Sequence, residues 1–233
     1  MSENYQLGLT KPFPCSYLPS QEERLLVAVD PILQNAAHYT WLMHQGFRRS
    51  GNDIYRPHCQ SCQACKSIRL QVADFKPSNS QKRALKRGQH FSVQISYSIK
   101  DSYYPLYEKY INEIHNDGAM FPATLAQFES FTENEITDQL YLEIYHDKQL
   151  ISVGVCDDLN NALSAVYTFY HPDYRKYGLG VLSILKQIEI CRQLQREILY
   201  LGYQIDQCEK MNYKSRFKPH QILIDNQWKT VNT

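Results

Sequence analysis

Apolar and polar positions alternate along the chain with periods that predict both strands and helices. From residue 165 to 170, aromatic and β-branched residues alternate with a period of two, which predicts a strand. After a break at His171-Pro172-Asp173, apolar residues recur at spacings of three from Leu179 to Cys191. This second pattern predicts a helix with one buried face. The stretch 165–194 is therefore predicted to be a strand, a loop and a helix.

The same periodicities assign the other elements. Strands are predicted at 25–29, 67–72, 91–97, 139–145, 150–156 and 198–203. Helices are predicted at 30–46, 80–88, 102–115, 124–131 and 205–217. Asp30 and Ser80 are the expected N-caps of the first two helices, and residues 47–55 are expected to form a hairpin.

The loop between the strand and the helix has the form Arg-x-x-Gly-x-Gly, from Arg175 to Gly180. Its two glycines let unpaired backbone N–H groups at a helix start approach a phosphate-bearing ligand. The loop resembles the acyl-donor loop of the GNAT acyltransferases, and the element order from residue 91 is similar to theirs. The expected fold class is α+β: a GNAT-like acyltransferase domain with a mixed, mainly antiparallel sheet and flanking helices, preceded by a smaller cysteine-containing N-terminal domain. The predicted boundaries are 1–75 for the N-terminal domain, 76–90 for a basic linker helix and 91–233 for the acyltransferase domain.

Composition narrows the classes of protein. The chain has 233 residues, of which 43% are apolar, and a formal charge of +1. It contains no apolar run near the roughly 18 residues that a membrane span needs, and its start is polar. We therefore expect a cytoplasmic protein without a membrane partner; the sequence does not fix its oligomeric state. Because the net charge is close to zero, a nucleic acid would have to be bound by a local basic patch.

One predicted helix supplies such a patch. Lys82, Arg83, Lys86 and Arg87 lie within six residues. Spacings of three and four place them near one helix face, where they could follow a phosphate backbone. The alternative is an ordinary solvated surface helix.

The seven cysteines have no secretory context, so free thiols, a metal site or catalysis are expected rather than disulfides. Cys59, Cys62 and Cys65 are spaced so that their thiolates could bind one metal ion or cluster, with Cys15 or His58 as the fourth ligand. The alternative is a turn of reduced cysteines beside the core.

Several motifs together resemble one family. They are Cys15-Ser16-Tyr17-Leu18-Pro19, Gly46-Phe47-Arg48-Arg49-Ser50-Gly51, Tyr55-Arg56-Pro57-x-Cys59-x-x-Cys62-x-Ala64-Cys65, Ser80-Gln81-Lys82-Arg83, Leu163-Ser164-Ala165-Val166-Tyr167-Thr168-Phe169, Tyr200-Leu201-Gly202-Tyr203 and Cys208-x-Lys210-Met211-x-Tyr213-Lys214-x-x-Phe217-x-Pro219. Their order resembles the aminoacyl-tRNA:protein transferase family, in its short bacterial branch of aspartate/glutamate leucyltransferases. Two positions depart from it: Gly178 stands where the family usually has serine, and Gln204 where it usually has tryptophan.

The resemblance implies transfer of leucine from leucyl-tRNA to the α-amino group of proteins that begin with Asp or Glu, which marks them for degradation. Transfer of arginine from arginyl-tRNA is the alternative within the family. No cofactor is expected for the transfer itself. Long eukaryotic relatives carry N-terminal cysteines that hold zinc or an iron–sulfur cluster, and only Cys15 and Cys62 fall close to those positions here.

The chemistry of this transfer suggests site residues. An aminoacyl ester is already activated, so positioned polar groups are needed rather than a covalent nucleophile. The candidate catalytic residues are Tyr167, Tyr170, Tyr203 and His115; the candidates for binding an acidic N-terminus are Arg48, Arg49 and Arg69, with Arg48 expected to face solvent. The candidates for binding the tRNA and its acyl group are Lys82, Arg83, Lys86, Arg87, Arg175, Gly178, Gly180, Lys210, Lys214 and Arg216.

Two rival functions explain part of the sequence. A CoA-dependent N-acetyltransferase would use the Arg175–Gly180 loop but leave the basic helix and the cysteines unexplained. A metal-stapled RNA-binding module would use those two features but leave the acyltransferase-like half idle.

Overall fold

The computed structural model of the chain describes residues 4–118 and 120–232. The strands are β1 (Leu7–Leu9), β2 (Phe13–Pro14), β3 (Glu22–Glu23), β4 (Leu25–Ala28), β5 (Arg48–Ser50), β6 (Asp53–Pro57), β7 (Lys66–Gln71), β8 (Ser92–Ser96), β9 (Gln139–His146), β10 (Gln149–Leu159), β11 (Ala162–Tyr170), β12 (Ile198–Gln204), β13 (His220–Ile224) and β14 (Gln227–Val231). The α-helices are α1 (Ala36–His44), α2 (Asn79–Arg87), α3 (Tyr103–Ile114), α4 (Leu125–Thr132), α5 (Leu179–Gln193) and α6 (Glu209–Asn212). Single 3-10 turns span Pro31–Leu33, Pro172–Tyr177 and Tyr213–Arg216.

A sheet of eight strands dominates the described part of the chain. Its order is β14-β13-β7-β12-β11-β10-β9-β8, and only the β11–β12 pair within it is parallel. Strands β1, β4, β6 and β5 form a smaller antiparallel sheet. The predicted mixed fold with a mainly antiparallel sheet is confirmed.

Helices cover both faces of the large sheet. On one face, Ile184 and Ile188 of α5 and Ala84 of α2 pack against strand residues such as Leu142 and Leu199. On the other face, α3 and α4 pack against β9, β10 and β11, while α1 and the smaller sheet pack beside them against β12. Successive residues of the central strands therefore point alternately into the apolar layer on one face of the sheet and into that on the other face.

Most predicted elements are present at the expected places. The stripe on α5 is buried at all five expected positions, Leu179, Leu182, Leu185, Ile188 and Cys191. The hairpin after residue 47 and the three-strand meander β9–β10–β11 are also confirmed.

The prediction of one helix over 30–46 is wrong. Asp30 does cap a helical turn, because its carboxylate accepts a hydrogen bond from Ile32 N, but that turn ends at Leu33. Asn35 then starts α1 as a second cap and accepts from His38 N. Two cap residues five positions apart thus divide one apolar segment into a 3-10 turn and a helix.

The prediction of a helix over 205–217 followed by a short tail is also wrong. Cys208 is extended, and only residues 209–216 are helical, as the four-residue α6 followed by a 3-10 turn. The tail forms the hairpin β13–β14, whose turn residues Asp225 and Asn226 have φ values of 52° and 59°. Asp and Asn tolerate this left-handed conformation, so the Asp225-Asn226 dipeptide favours a hairpin turn at this point of the sequence.

The large sheet joins the two halves of the chain. Strand β7, from the predicted N-terminal domain, lies between β12 and β13. Strand β7 precedes the predicted boundary at residue 75 in the sequence, but it pairs with strands that follow this boundary. No helix of the described residues is long and apolar enough to cross a membrane.

The N-cap of α2 is Ser78 rather than Ser80. The Ser78 hydroxyl accepts from Gln81 N at 3.4 Å, and the Gln81 side chain accepts from Ser78 N at 2.8 Å, which completes a capping box. We expect Ser78→Ala to lower the free energy of unfolding by about 1 kcal/mol, measured by urea denaturation. Ser80→Ala is the matched control and should cost much less, since among the described residues the Ser80 hydroxyl hydrogen-bonds only to Ser78 Oγ, at 3.0 Å. If Ser80→Ala lowered the free energy of unfolding more than Ser78→Ala does, Ser80 rather than Ser78 would be the N-cap.

Candidate active site

A wedge opens between the two parallel strands of the large sheet. Strands β11 and β12 pair only over Ala162–Ser164 and Ile198–Tyr200. Beyond these residues β11 continues to Tyr170 and β12 to Gln204 without pairing to each other. The carboxyl ends of neighbouring strands are where open sheets bind ligands, so this gap is the candidate active site.

The predicted donor loop lies at the end of β11 and leads into α5. Gly178 joins the 3-10 turn to α5 with φ = 68°, a left-handed conformation that glycine adopts without a steric penalty. Among the described residues, no heavy atom outside its chain neighbours and the α5 backbone lies within 4 Å of the position that a β-carbon on Gly180 would occupy. The first turn of α5 has no side-chain cap. Its N–H groups are therefore open to an anionic or carbonyl ligand.

Three of the four candidate catalytic residues gather around Tyr110, which the sequence assigned to the core. The Tyr110 ring lies 6.5 Å from the ring of Tyr167 and 4.8 Å from that of Tyr170. His115 Nε2 lies 2.8 Å from the Tyr110 hydroxyl oxygen. Burial raises the pKa of each of these tyrosines, and burial followed by the nearby Lys210 lowers the pKa of His115. At neutral pH this group holds protonated phenols and a neutral imidazole.

The fourth candidate, Tyr203, is not part of this group. Its hydroxyl is buried against the smaller sheet and donates to Gly46 O at 2.9 Å. The residue is 8% exposed. Although Tyr203 lies on the splayed part of β12, its hydroxyl is directed away from the wedge and has a structural partner.

Arg49 is part of a buried ion pair. Its Nε lies 3.1 and 3.0 Å from the two carboxylate oxygens of Asp157, and its Nη2 contacts the same carboxylate. Tyr39 also donates to Asp157, at 3.0 Å. The Arg49 and Asp157 side chains are both fully buried. Arg49 is thus not free to bind the carboxylate of an acceptor.

Arg69 is also engaged. Its guanidinium donates to Gln221 Oε1 at 2.8 Å and to the Tyr200 hydroxyl at 3.4 Å, and it lies 4.1 Å from the Trp228 ring centroid. These contacts join β7 to β12, β13 and β14, so we interpret Arg69 as structural.

Arg48 is buried, although it was expected to face solvent. Arg48 and Arg49 do point to opposite sides of β5, as neighbours in a strand must, but both sides of this strand are covered. Arg48 is 6% exposed, and its Nη2 donates to Gly202 O on β12 at 3.2 Å. Of the three candidate arginines, Arg48 is the one that bonds the backbone of β12 beyond its pairing with β11.

Lys214 also reaches the splayed part of β12. Its Nζ donates to Tyr203 O at 2.8 Å. Burial, followed by the positive charge of Arg48, lowers the pKa of Lys214 to about 7. The residue therefore differs from the exposed lysines with which the sequence grouped it.

The other predicted cations form a surface beside the donor loop. Lys82, Arg83, Lys86 and Arg87 are all exposed on α2, while Gln81 and Ala84 face the core. Arg87 Nη2 lies 3.9 Å from the position of a β-carbon on Gly178. Gln81 Nε2 donates to Arg216 O at 3.2 Å, which places Arg216 next to α2. Burial raises the pKa values of Tyr110 and Tyr170, and Arg175 lies close enough to both to oppose part of that rise. Lys210 donates to Asp117 at 3.2 Å.

Comparison of the chain with known protein families finds one family that matches it in two parts. Residues 13–83 match the family described as "Arginine-tRNA-protein transferase, N terminus", and residues 102–224 match "Arginine-tRNA-protein transferase, C terminus". The chain belongs to this family. The resemblance that the sequence motifs indicated is confirmed.

The relatives in this family match along almost the whole chain. The chain is 48% identical over 226 residues to a protein of Pseudoalteromonas atlantica named "Aspartate/glutamate leucyltransferase", covering 97% of each. It is 44% identical over 228 residues to a protein of the same name from Vibrio cholerae, again covering 97% of each. A solved structure described as the C-terminal domain of a lysylphosphatidylglycerol synthetase from Agrobacterium fabrum superposes with a TM-score of 0.52 at 11% identity, covering 86% of this chain and 63% of that one. That similarity concerns the fold alone.

The four cysteines whose spacing predicted a metal site lie near one another. Burial and the neighbouring thiols of Cys59, Cys15 and Cys62 raise the pKa of Cys65 to about 12. Within residues 4–118 and 120–232, however, no group of three or more His, Cys, Asp or Glu side chains is arranged to hold a metal ion. The predicted ligand set, including the alternative with His58, is therefore not assembled. Because the residues do not fit a metal or cluster, no reaction step is assigned to one.

One of the two departures from the family pattern lies close to the wedge. Gln204 ends β12, is buried, and donates through its amide to Asp206. Asp206 lies 3.5 Å from Lys66 and borders a cleft of about 380 Å³ together with Cys62 and Ala64. The side chain at position 204 thus contacts the rim of this cleft.

Proposed function

We propose that the protein is an aminoacyltransferase that moves leucine from leucyl-tRNA to the α-amino group of proteins that begin with Asp or Glu. The observation that carries this proposal is the full-length similarity to proteins named aspartate/glutamate leucyltransferase. The new N-terminal leucine would mark the acceptor for degradation. We place the reaction in the cytoplasm, where charged tRNA is available.

The architecture supports an acyltransferase of the GNAT type for residues 91–233. Its strands β8 to β12 follow one another in the sheet, and the β11–β12 wedge lies beside the open start of α5. We propose that the aminoacyl end of the tRNA enters this wedge next to Gly178 and Gly180. The basic surface of α2, the proposed linker helix 76–90, would then bind phosphates of the same tRNA.

The transfer needs positioning more than chemical activation. An α-amine with a pKa of about 7.7–8.0 is partly unprotonated at neutral pH, and its lone pair can attack the ester carbonyl directly. Holding the amine and the ester in attack geometry can contribute roughly 7–11 kcal/mol. The new C–N bond forms, the C–O bond to the tRNA ribose breaks, and the amine proton must finally reach the ribose oxygen.

The group around Tyr110 can serve this proton transfer. Tyr167 and Tyr170 are protonated and can donate to the developing oxyanion or to the leaving oxygen, a contribution of about 3 kcal/mol for one such donor. Neutral His115, bonded to Tyr110, can accept the proton of the amine. We assign the donor role to Tyr167 and Tyr170 because both lie on the part of β11 that is not paired with β12. We assign the acceptor role to His115 because it bonds Tyr110, whose ring lies beside theirs.

One transfer assay tests the function. Purified protein is incubated with leucyl-tRNA, arginyl-tRNA or acetyl-CoA, each carrying a labelled acyl group, and with peptides that begin with Asp, Glu or Ala. We expect label from leucyl-tRNA on the Asp and Glu peptides and little on the Ala peptide. Arginine transfer would agree with the description of the family rather than with the name of the relatives. Acetyl transfer without aminoacyl transfer would refute the proposal.

A further inference from the structure

A buried cation, Arg48, and a partly buried one, Lys214, meet at the irregular point of β12. The pairing of β12 with β7 shifts register between Tyr200 and Gly202, and Gly202 has φ = 84°. Arg48, from β5, donates to Gly202 O, and Lys214, from the segment after α6, donates to the next carbonyl, Tyr203 O. Their charges interact strongly enough that Arg48 lowers the pKa of Lys214.

Neither cation forms an ion pair within the described chain. Arg48 contacts carbonyl oxygens, the Met43 sulfur and the rings of Tyr200 and Tyr203, and its buried Nε has no hydrogen-bond partner. Lys214 contacts Tyr203 O and the Met211 sulfur. Removing these like charges from water, almost fully for Arg48 and partly for Lys214, costs free energy, and a bound anion would recover part of it.

Glycine at position 202 leaves one side of Lys214 uncrowded. Gly202 has no side chain, and a β-carbon there would lie 3.5 Å from Lys214 Nζ. Arg48 is only 6% exposed, so the phosphates of a tRNA backbone are less able to approach it than the exposed residues of α2. A carboxylate at the end of one short side chain is a smaller anion, and the proposed acceptors supply one.

We propose that Arg48 and Lys214 form the subsite that binds the side-chain carboxylate of the acceptor's first residue. This assignment rests on the proposed function and moves Lys214 from donor binding to acceptor binding. Gly202 and Tyr203 lie on the splayed part of β12, so an Asp or Glu bound here has its α-amine one residue's length away, at the wedge. An Asn or Gln in its place leaves both cations without a counter-charge, so the subsite predicts that these neutral isosteres are poor acceptors.

Lys214→Met, which keeps the apolar stem and removes the charge, tests the subsite. We expect kcat/KM for a peptide beginning with Glu to fall about 10–150-fold, the range for losing a hydrogen bond to a charged group. The kcat/KM for a matched Gln peptide and the KM for leucyl-tRNA should stay nearly unchanged. The ratio of kcat/KM for the Glu peptide to that for the Gln peptide should therefore fall. Lys214→Arg should restore part of that ratio. Lys229→Met, which removes an exposed lysine on β14, is the matched control and should behave as wild type.

The pH dependence of the unmodified protein is an independent measurement, so a poorly folded variant would not end the test. The nearby groups that influence Lys214 are Arg48 and Cys208. Because Lys214 loses its proton as the pH rises through about 7, the Glu-to-Gln ratio of kcat/KM should fall between pH 6 and pH 8.5. The α-amine titrates identically in both peptides and cancels from the ratio.

The outcomes separate this subsite from the proposed function. If folded Lys214→Met raises the KM for leucyl-tRNA and slows the Glu and Gln peptides equally, Lys214 binds the donor and the subsite is refuted. A Glu-to-Gln ratio that is unchanged in the variant, or flat with pH in wild type, refutes it as well. If wild type transfers no leucine to any peptide, the proposed function fails and the subsite fails with it.

Discussion

Asp157→Asn should lower the free energy of unfolding by about 3–5 kcal/mol, because it leaves the guanidinium of Arg49 buried without a counter-charge. Both side chains are fully buried, and Tyr39 loses a charged acceptor in the same substitution. The three residues come from α1, β5 and β10, so they tie the smaller sheet to the large one. Total stabilities are about 5–15 kcal/mol, so the loss is a large fraction of what holds the fold. Urea denaturation followed by circular dichroism measures it.

Two comparisons show whether the unpaired charge is the cause. The double variant Arg49→Met with Asp157→Leu removes both charges, and we expect it to recover most of the lost stability. Glu189→Gln breaks a partly exposed pair with Lys186 and should cost under about 1 kcal/mol. If the double variant is no more stable than Asp157→Asn, then packing around these side chains rather than the unpaired guanidinium accounts for the loss.

Periodicity predicted the elements whose surroundings match their local pattern. The α5 stripe is one example, because a helix resting on a sheet has one apolar face and its spacing is visible in the sequence. The meander from β9 to β11 is another, since each turn carries its own residue preferences. The order of the motifs predicted the family because each motif is a short stretch that can be read directly from the sequence. Some of these motifs include residues near the wedge, such as Tyr167 and Lys214.

Burial of charged residues could not be predicted in this way. Strand alternation places Arg48 and Arg49 on opposite faces, and an exposed face is the ordinary expectation for one of them. Both are buried because β5 lies between Asp157 on one side and β12 on the other. That arrangement depends on residues more than 100 positions away, which no local pattern contains.

The wedge was hidden for the same reason. Strand propensity predicts where β11 and β12 run but not that their pairing stops after Ser164 and Tyr200. Beyond that point β12 is contacted by Arg48 and Lys214, which come from distant parts of the chain. Lys214 therefore looked like one more surface lysine, whereas its role follows from the strand it contacts.

Neutralising α2 should weaken leucyl-tRNA binding on the order of 100-fold at moderate salt, because its four exposed cations are proposed to contact phosphates. The variant changes Lys82, Arg83, Lys86 and Arg87 to Gln, which keeps a residue of high helix propensity at each position. Each lost contact should also reduce the slope of log affinity against log salt by about 0.9 on a duplex, so the slope should become shallower by as much as about 3–4. Filter binding or fluorescence anisotropy over a salt series gives both quantities.

The control for this variant must lose charge without losing the proposed tRNA surface. Changing Lys11, Lys148 and Lys229 to Gln removes three exposed cations that lie outside α2 and the donor loop. We expect this control to bind leucyl-tRNA nearly as wild type does, with almost the same salt slope, because a change of net charge alone acts weakly at distances beyond the Debye length. Equal losses in the two variants would mean that overall charge drives binding and that α2 is an ordinary solvated helix. A loss confined to the α2 variant, with its shallower slope, would assign the phosphate contacts to the helix whose Arg87 lies next to Gly178.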